Sequence, residues 1–204
     1  MSIFHYFSKD ADKRARFVFN FIAGFYKKID FSGSSHYLNA TSLVNDKVGV
    51  NGKTILDVGT GTGDWGAMFS QYEAGKIVGV DFAEKMVANA RSKHKNIEFK
   101  LGNAEDLSSF EDDAFDIVTA SFVVHGVKHE KRAKMLAEMR RVAKSHVVLH
   151  DFLGDTPLFI KILEFLEQSD YLSFKKNIIE ELKLHFTKVE TFQIKKGTGL
   201  YICS

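Results

Sequence analysis

Between Lys53 and Phe152, short apolar runs alternate with stretches whose apolar residues recur at helical spacing. The runs are KTILDV (Lys53–Val58), KIVGV (Lys76–Val80), NIEFKL (Asn96–Leu101), FDIVTASFVV (Phe115–Val124) and SHVVLHDF (Ser145–Phe152). Helices are expected from Asp64 to Glu73, Glu84 to His94 and Lys128 to Lys144. Near-continuous apolar runs suit strands buried on both faces. Alternation of strands and helices then implies a mostly parallel sheet with helices on each side.

The flanks complete the pattern. Pro157 suits the first turn of a helix carrying Leu158, Ile162, Phe165 and Leu166, and a further helix follows. Phe186–Ile194 and Gly199–Cys203 surround a glycine-containing turn and read as a hairpin, so one late strand is antiparallel. The expected fold is α/β, a doubly wound seven-stranded sheet. Phe17, Phe21 and Phe25 line one stripe of a basic helix between Asp10 and Ile29, and a second helix runs through Tyr37, Leu38, Leu43 and Val44. Residues 1–50 are therefore expected to form a helical cap on the domain that spans 51–204.

Composition excludes several classes. A net charge of +2 gives little attraction for nucleic acid. Cys203 is the single cysteine, which leaves no internal disulfide and no cysteine zinc site and fits a reducing cytoplasm. No apolar stretch approaches the roughly 18 residues that span a bilayer, and the amino-terminal residues lack the apolar core of a signal peptide. Oligomeric state is left open.

Ligands of doubly wound sheets sit at the carboxyl ends of the strands. The first strand ends in ILDVGTGTGDWG, residues 55–66, where two glycine patterns overlap. Gly61-x-Gly63-x-x-Gly66 matches the dinucleotide fingerprint, and Asp81 lies about 20 residues on, at the end of the second strand, where an acid can hold ribose hydroxyls. Asp81 also reads as a helix cap. A dinucleotide register would put Asp64 where pyrophosphate belongs and would delay the turn past Asp57. Asp57 and Asp64 suit a cationic ligand better. The working loop is then Asp57-x-Gly59-x-Gly61-x-Gly63, with Gly66 as a helix-packing glycine.

With these residues the chain resembles the class I S-adenosylmethionine-dependent methyltransferases, in particular those of ubiquinone and menaquinone biosynthesis. LDVGTGTG (Leu56–Gly63) resembles their first motif, GVDFAEKMVANAR (Gly79–Arg91) their second, LGNAEDL (Leu101–Leu107) their third and FDIVTASFVVHGV (Phe115–Val127) their fourth. The resemblance covers Lys53 to Phe152, and the closing hairpin matches the family's seventh strand. It implies that Gly59, Thr60 and Gly61 line the methionine part of S-adenosylmethionine, with Asp57 near its ammonium. Asp81 would hold the ribose, Phe82 and Met86 would flank adenine, Asn103 and Ala104 would meet the adenine edge, and Ser121 would lie near the methionine end. Asn103 stands where the family more often has aspartate, and RVAKSHVV lacks the usual proline-glycine turn.

No metal site is expected, because His129-Glu130 is not completed to H-E-x-x-H, and the G-x-S-x-G elbow of serine hydrolases is absent as well. Tyr171-x-x-x-Lys175 lacks the glycine motif that accompanies that pair in short-chain dehydrogenases, and Tyr171 reads as helix packing. His125, just past the fourth strand, is the candidate general base. His150 and Asp151 end the fifth strand as a weaker acid–base pair, of which one at most points inward. Tyr26, Tyr37 and His150 are candidate substrate-pocket residues. The expected reaction is methyl transfer to a small, partly apolar molecule. A nicotinamide-dependent reductase and a catalytically inactive cofactor-binding module are the alternatives.

Overall fold

The computed structural model describes residues 34–204 except 159–160, 162–163 and 165–168. The expected first helix and Tyr26 lie outside these residues, as do Ile162, Phe165 and Leu166. The elements are α1 (Ser34–Val48), β1 (Thr54–Val58), α2 (Asp64–Ala67), β2 (Lys76–Asp81), α3 (Glu84–Lys93), β3 (Glu98–Leu101), β4 (Phe115–Ser121), α4 (His129–Val142), β5 (Ala143–Leu153), α5 (Tyr171–Lys183), β6 (Val189–Lys195) and β7 (Gly197–Cys203). Short 3-10 turns cover Met68–Tyr72 and Val124–Gly126.

The seven strands run in the order β3-β2-β1-β4-β5-β7-β6. All neighbours are parallel except β5–β7 and β6–β7. The expected doubly wound sheet with its closing hairpin is therefore present. The crossover from β3 to β4 reverses the strand order beside β1, which opens a crevice at the carboxyl ends of β1 and β4.

Alternation along each strand divides the core between the two faces. Leu56, Val118, Val147 and Leu149 pack with Met135, Leu136 and Met139 of α4 and Phe174, Ile178 and Leu182 of α5. Their neighbours Ile55, Ile117 and Val148 pack on the other face with Ala40 and Val44 of α1, Trp65 and Phe69. A buried Arg132 joins the two helices of the first face. Its guanidinium makes two bonds to Glu181, at 2.6 and 2.9 Å, and one to Asp170 at 3.1 Å.

Several boundaries depart from the sequence reading. The helix after the glycine loop is α for only four residues and then tightens to 3-10, where Met68–Tyr72 turns the chain back toward β2. The fourth strand ends at Ser121, because Phe122 adopts a left-handed φ of 53°. Helix α4 passes straight into β5: Ala143 is already extended, at φ −88° and ψ 121°, and the Asp113 N–H takes the carbonyl of Arg141. No proline-glycine turn is needed where the helix end is paired from another loop. Strand β6 starts at Val189, since Phe186 is drawn into the core beneath α5. Tyr171 is buried against Phe152, with its hydroxyl on Thr156. Leu158 starts a helical stretch but is 72% exposed, so it is no core residue.

Candidate functional site

The glycine loop leaves β1 and folds back over β2. Gly59 and Thr60 both donate their N–H to the carbonyl of Val80, at 2.8 and 3.0 Å. Gly61 donates to Asp81 Oδ2 at 2.9 Å, Gly63 to the Thr60 carbonyl at 2.8 Å, and Gly66 to Asp57 Oδ2 at 3.2 Å. These donors are spent inside the loop, so they do not form the outward N–H cradle that a pyrophosphate requires.

Each glycine has its own reason. Gly59, at φ 70°, would push a Cβ to 2.6 Å from Val123. Gly61, at φ 55°, has no atom within 4 Å of the same position, so its backbone is open to close approach. A Cβ on Gly66 would stand 2.9 Å from Asp57 Oδ2. Gly66 therefore makes room for that carboxylate, which corrects its reading as a general helix-packing residue.

Two acids face the crevice from adjacent parallel strands. Asp57 is 1% exposed, and its Oδ2 accepts from the Thr60 hydroxyl at 2.7 Å as well as from Gly66. Its Oδ1 is buried and has no hydrogen-bond partner among the described residues. Burial pushes the carboxyl up to about 7; the Thr60 and Gly66 bonds oppose this, and the nearby Asp81 charge adds to it. Asp81 is also raised by burial, against bonds from the N–H groups of Ala83 and Gly61. Ala83 is the N-cap of α3 and brings no side-chain cap, so Asp81 braces the turn ahead of the helix rather than capping it.

Asp64 does not join them. It binds Lys93 at 2.6 Å, His94 at 2.9 Å and the Thr62 hydroxyl at 2.9 Å. Burial would raise it, but these three partners hold it below the usual carboxylate range. Asp57 with Asp81, not Asp57 with Asp64, is the acidic pair at the crevice.

The remaining expected residues follow the strand ends. Phe82 is half-buried after Asp81, and Met86 is buried against Ala83 apart from the main cores. Asn103 follows β3 and accepts the Glu105 N–H on Oδ1 at 3.1 Å, with Ala104 half-buried beside it. Ser121 ends β4 opposite His150, and its hydroxyl meets His150 Nδ1 at 2.9 Å.

The two histidines part company. His150 stacks on Trp65 at 4.9 Å and 21°, with Tyr37 edge-on at 5.9 Å. Asp151 turns instead to His125: its Oδ1 lies 2.7 Å from Nδ1, and Oδ2 accepts the His125 N–H at 3.2 Å. The hydrogen-bonded His–Asp pair is therefore His125–Asp151 and not His150–Asp151, as opposite faces of one strand require. Glu164 Oε2 stands 3.5 Å from His125 Nε2. Sequence reasoning did not single out Trp65, Phe122 or Glu164. Trp65 is the one tryptophan and adjoins the loop, a signal available in the chain. Among the described residues no group of three acids, histidines or cysteines could hold a metal, and no helix is long and apolar enough to cross a membrane.

Residues 55–146 match the family described as methyltransferase domain. Residues 55–146 of the chain thus resemble a methyltransferase domain. A demethylmenaquinone methyltransferase of Chlorobaculum parvum is 34% identical over 137 residues, which cover 66% of this chain and 52% of that protein. The chain thus spans about half the length of the curated relatives it matches. Among solved structures, a methyltransferase of Aquifex aeolicus described as SAM-dependent superposes with a TM-score of 0.64 at 23% identity, over 88% of this chain and 97% of that one. The magnesium protoporphyrin IX methyltransferase of Synechocystis, solved with bound SAH, superposes at 0.67 and 17% identity, over 93% and 100%.

Proposed function

We propose that the protein transfers the methyl group of S-adenosylmethionine to a small, partly apolar molecule. One observation carries the choice of cofactor: the loop N–H groups are donated inward, which leaves two carboxylates, Asp57 and Asp81, at the crevice. That donor set suits an ammonium, a sulfonium and ribose hydroxyls, and it repels a pyrophosphate. The orphaned Asp57 Oδ1 and the open face of Gly61 fit the same group.

In this reading Asp57, Gly59, Thr60 and Gly61 hold the methionine portion. Thr60 acts through Asp57, which its hydroxyl orients. Asp81 has lone pairs left for ribose, Phe82 and Met86 flank the adenine, and Asn103 and Ala104 meet its edge. Ser121 lies at the methionine end. The cofactor, when bound, supplies a methyl on a good leaving group, so the protein's task is mainly alignment. His125 is the candidate base: Asp151 holds Nδ1, which assigns proton uptake to Nε2. Tyr37 and His150 line the acceptor side. The relatives' names, a quinone and a porphyrin methyltransferase, support an acceptor with a sizeable apolar ring.

Calorimetric titration with S-adenosylhomocysteine and with NADH tests the cofactor. Micromolar binding of the first and none of the second is expected. NADH binding with no response to S-adenosylhomocysteine would overturn the proposal in favour of a reductase.

A further inference from the structure

Phe122 is the most unusual residue at the sheet's carboxyl edge. Its φ of 53° lies in the left-handed region, which a bulky side chain rarely adopts. The conformation is fixed locally, since the Phe122 N–H donates to the His150 carbonyl at 2.8 Å. Ser121 before it binds the His150 ring, and Val123 after it fills the space that Gly59 leaves empty. The chain thus turns sharply between the cofactor loop and β5, and glycine or asparagine would make that turn with less strain. What the phenylalanine adds is its ring. That ring stands edge-on to His150 at 4.8 Å, to Phe152 at 5.4 Å and to His125 at 6.4 Å. Its ring thus contacts both histidines of the site. It is also half-buried rather than sealed in the core.

We propose that Phe122 determines acceptor selectivity, its ring partitioning the space between His125 and His150 and limiting the size of the molecule admitted there. The proposal rests on the methyltransferase reading above. A strained backbone is retained where the surroundings over-determine it, and such residues cluster at ligand clamps.

The test uses the full chain saturated with S-adenosylhomocysteine and three hydroxylated probes of increasing size: phenol, 1-naphthol and 1-hydroxypyrene. Affinities are measured by calorimetry for the wild type and for Phe122→Gly, Phe122→Asn and Phe122→Tyr. The glycine and asparagine variants suit the left-handed backbone and remove the ring. Both should shift the affinity ratio of 1-hydroxypyrene to 1-naphthol by about tenfold toward the larger probe, the scale on which hydrophobic pockets discriminate by size. Phe122→Tyr keeps the ring and should keep the wild-type ratio. Affinity for S-adenosylhomocysteine should stay within about twofold in all four proteins, since Phe122 contributes no group to the cofactor loop. Normal cofactor affinity with an unchanged probe ratio, or with no probe bound by any of the proteins, overturns the selectivity role and leaves the methyltransferase reading standing. Failure of the wild type to bind S-adenosylhomocysteine overturns that reading itself, and the selectivity role with it.

Discussion

Replacing Asp57 by asparagine removes a buried charge while nearly keeping its shape. The folded protein holds the Asp57 proton up to about pH 7, and an exposed aspartate in the unfolded chain releases it near 3.8. Between these values folding takes up a proton, so the stability contributed by this group falls as pH rises, by about 1.4 kcal/mol per unit. Above pH 7 the loss levels off at about 4 kcal/mol. The asparagine variant lacks this slope. From pH 5 to pH 8 the wild type should therefore lose about 3 kcal/mol relative to Asp57→Asn, or roughly 6–12 °C in Tm for a domain of this size. Any cost of placing the asparagine NH2 at Oδ1 is independent of pH and drops out of the comparison. Thermal melts of both proteins across this range measure it. A wild-type-to-variant offset that stays constant from pH 5 to pH 8 would refute the argument. Cofactor affinity should follow the same group in the opposite sense. If the ligand ammonium needs ionised Asp57, S-adenosylhomocysteine should bind wild type about tenfold more weakly at pH 6 than at pH 8.

Other perturbations report on separate parts of the structure. Asp81→Ala should weaken S-adenosylhomocysteine by at least about tenfold in calorimetry, since a polar site loses a hydrogen-bonded charge; unchanged affinity would reduce Asp81 to a brace for the Gly61 and Ala83 turns. Gly66→Ala should lower Tm and cofactor affinity together, because its Cβ would press on Asp57 Oδ2 at 2.9 Å, whereas Gly61→Ala, with open space around it, should weaken the cofactor more than its backbone strain of about 1 kcal/mol lowers stability. Arg132→Met should cost about 3–5 kcal/mol in a denaturant titration by stranding the buried Glu181, and adding Glu181→Leu should recover most of it; a double variant no better than the single one would show that the arginine acts by packing alone.

The chain's local patterns were enough to place every strand of the sheet. Uninterrupted apolar runs, glycines at sharp turns and acids at strand ends are consequences of burial and backbone sterics that act within a few residues. Those patterns also limited His150 and Asp151 to opposite faces of one strand. Partners could not be read this way. Asp151 finds His125 across 26 residues, and Asp64 is drawn to His94 across 30 and to its neighbour Lys93, because crossover helices set those distances. The left-handed turn at Phe122 has no local signature, since a phenylalanine in an apolar run reads as one more strand residue. Only the assembled sheet, with the His150 carbonyl waiting beside β4, makes that conformation the lower in energy and sets the ring between the two histidines. Secondary structure thus follows from sequence because its causes are local, while the pairing of charges and the turn at Phe122 follow from tertiary contacts between distant residues.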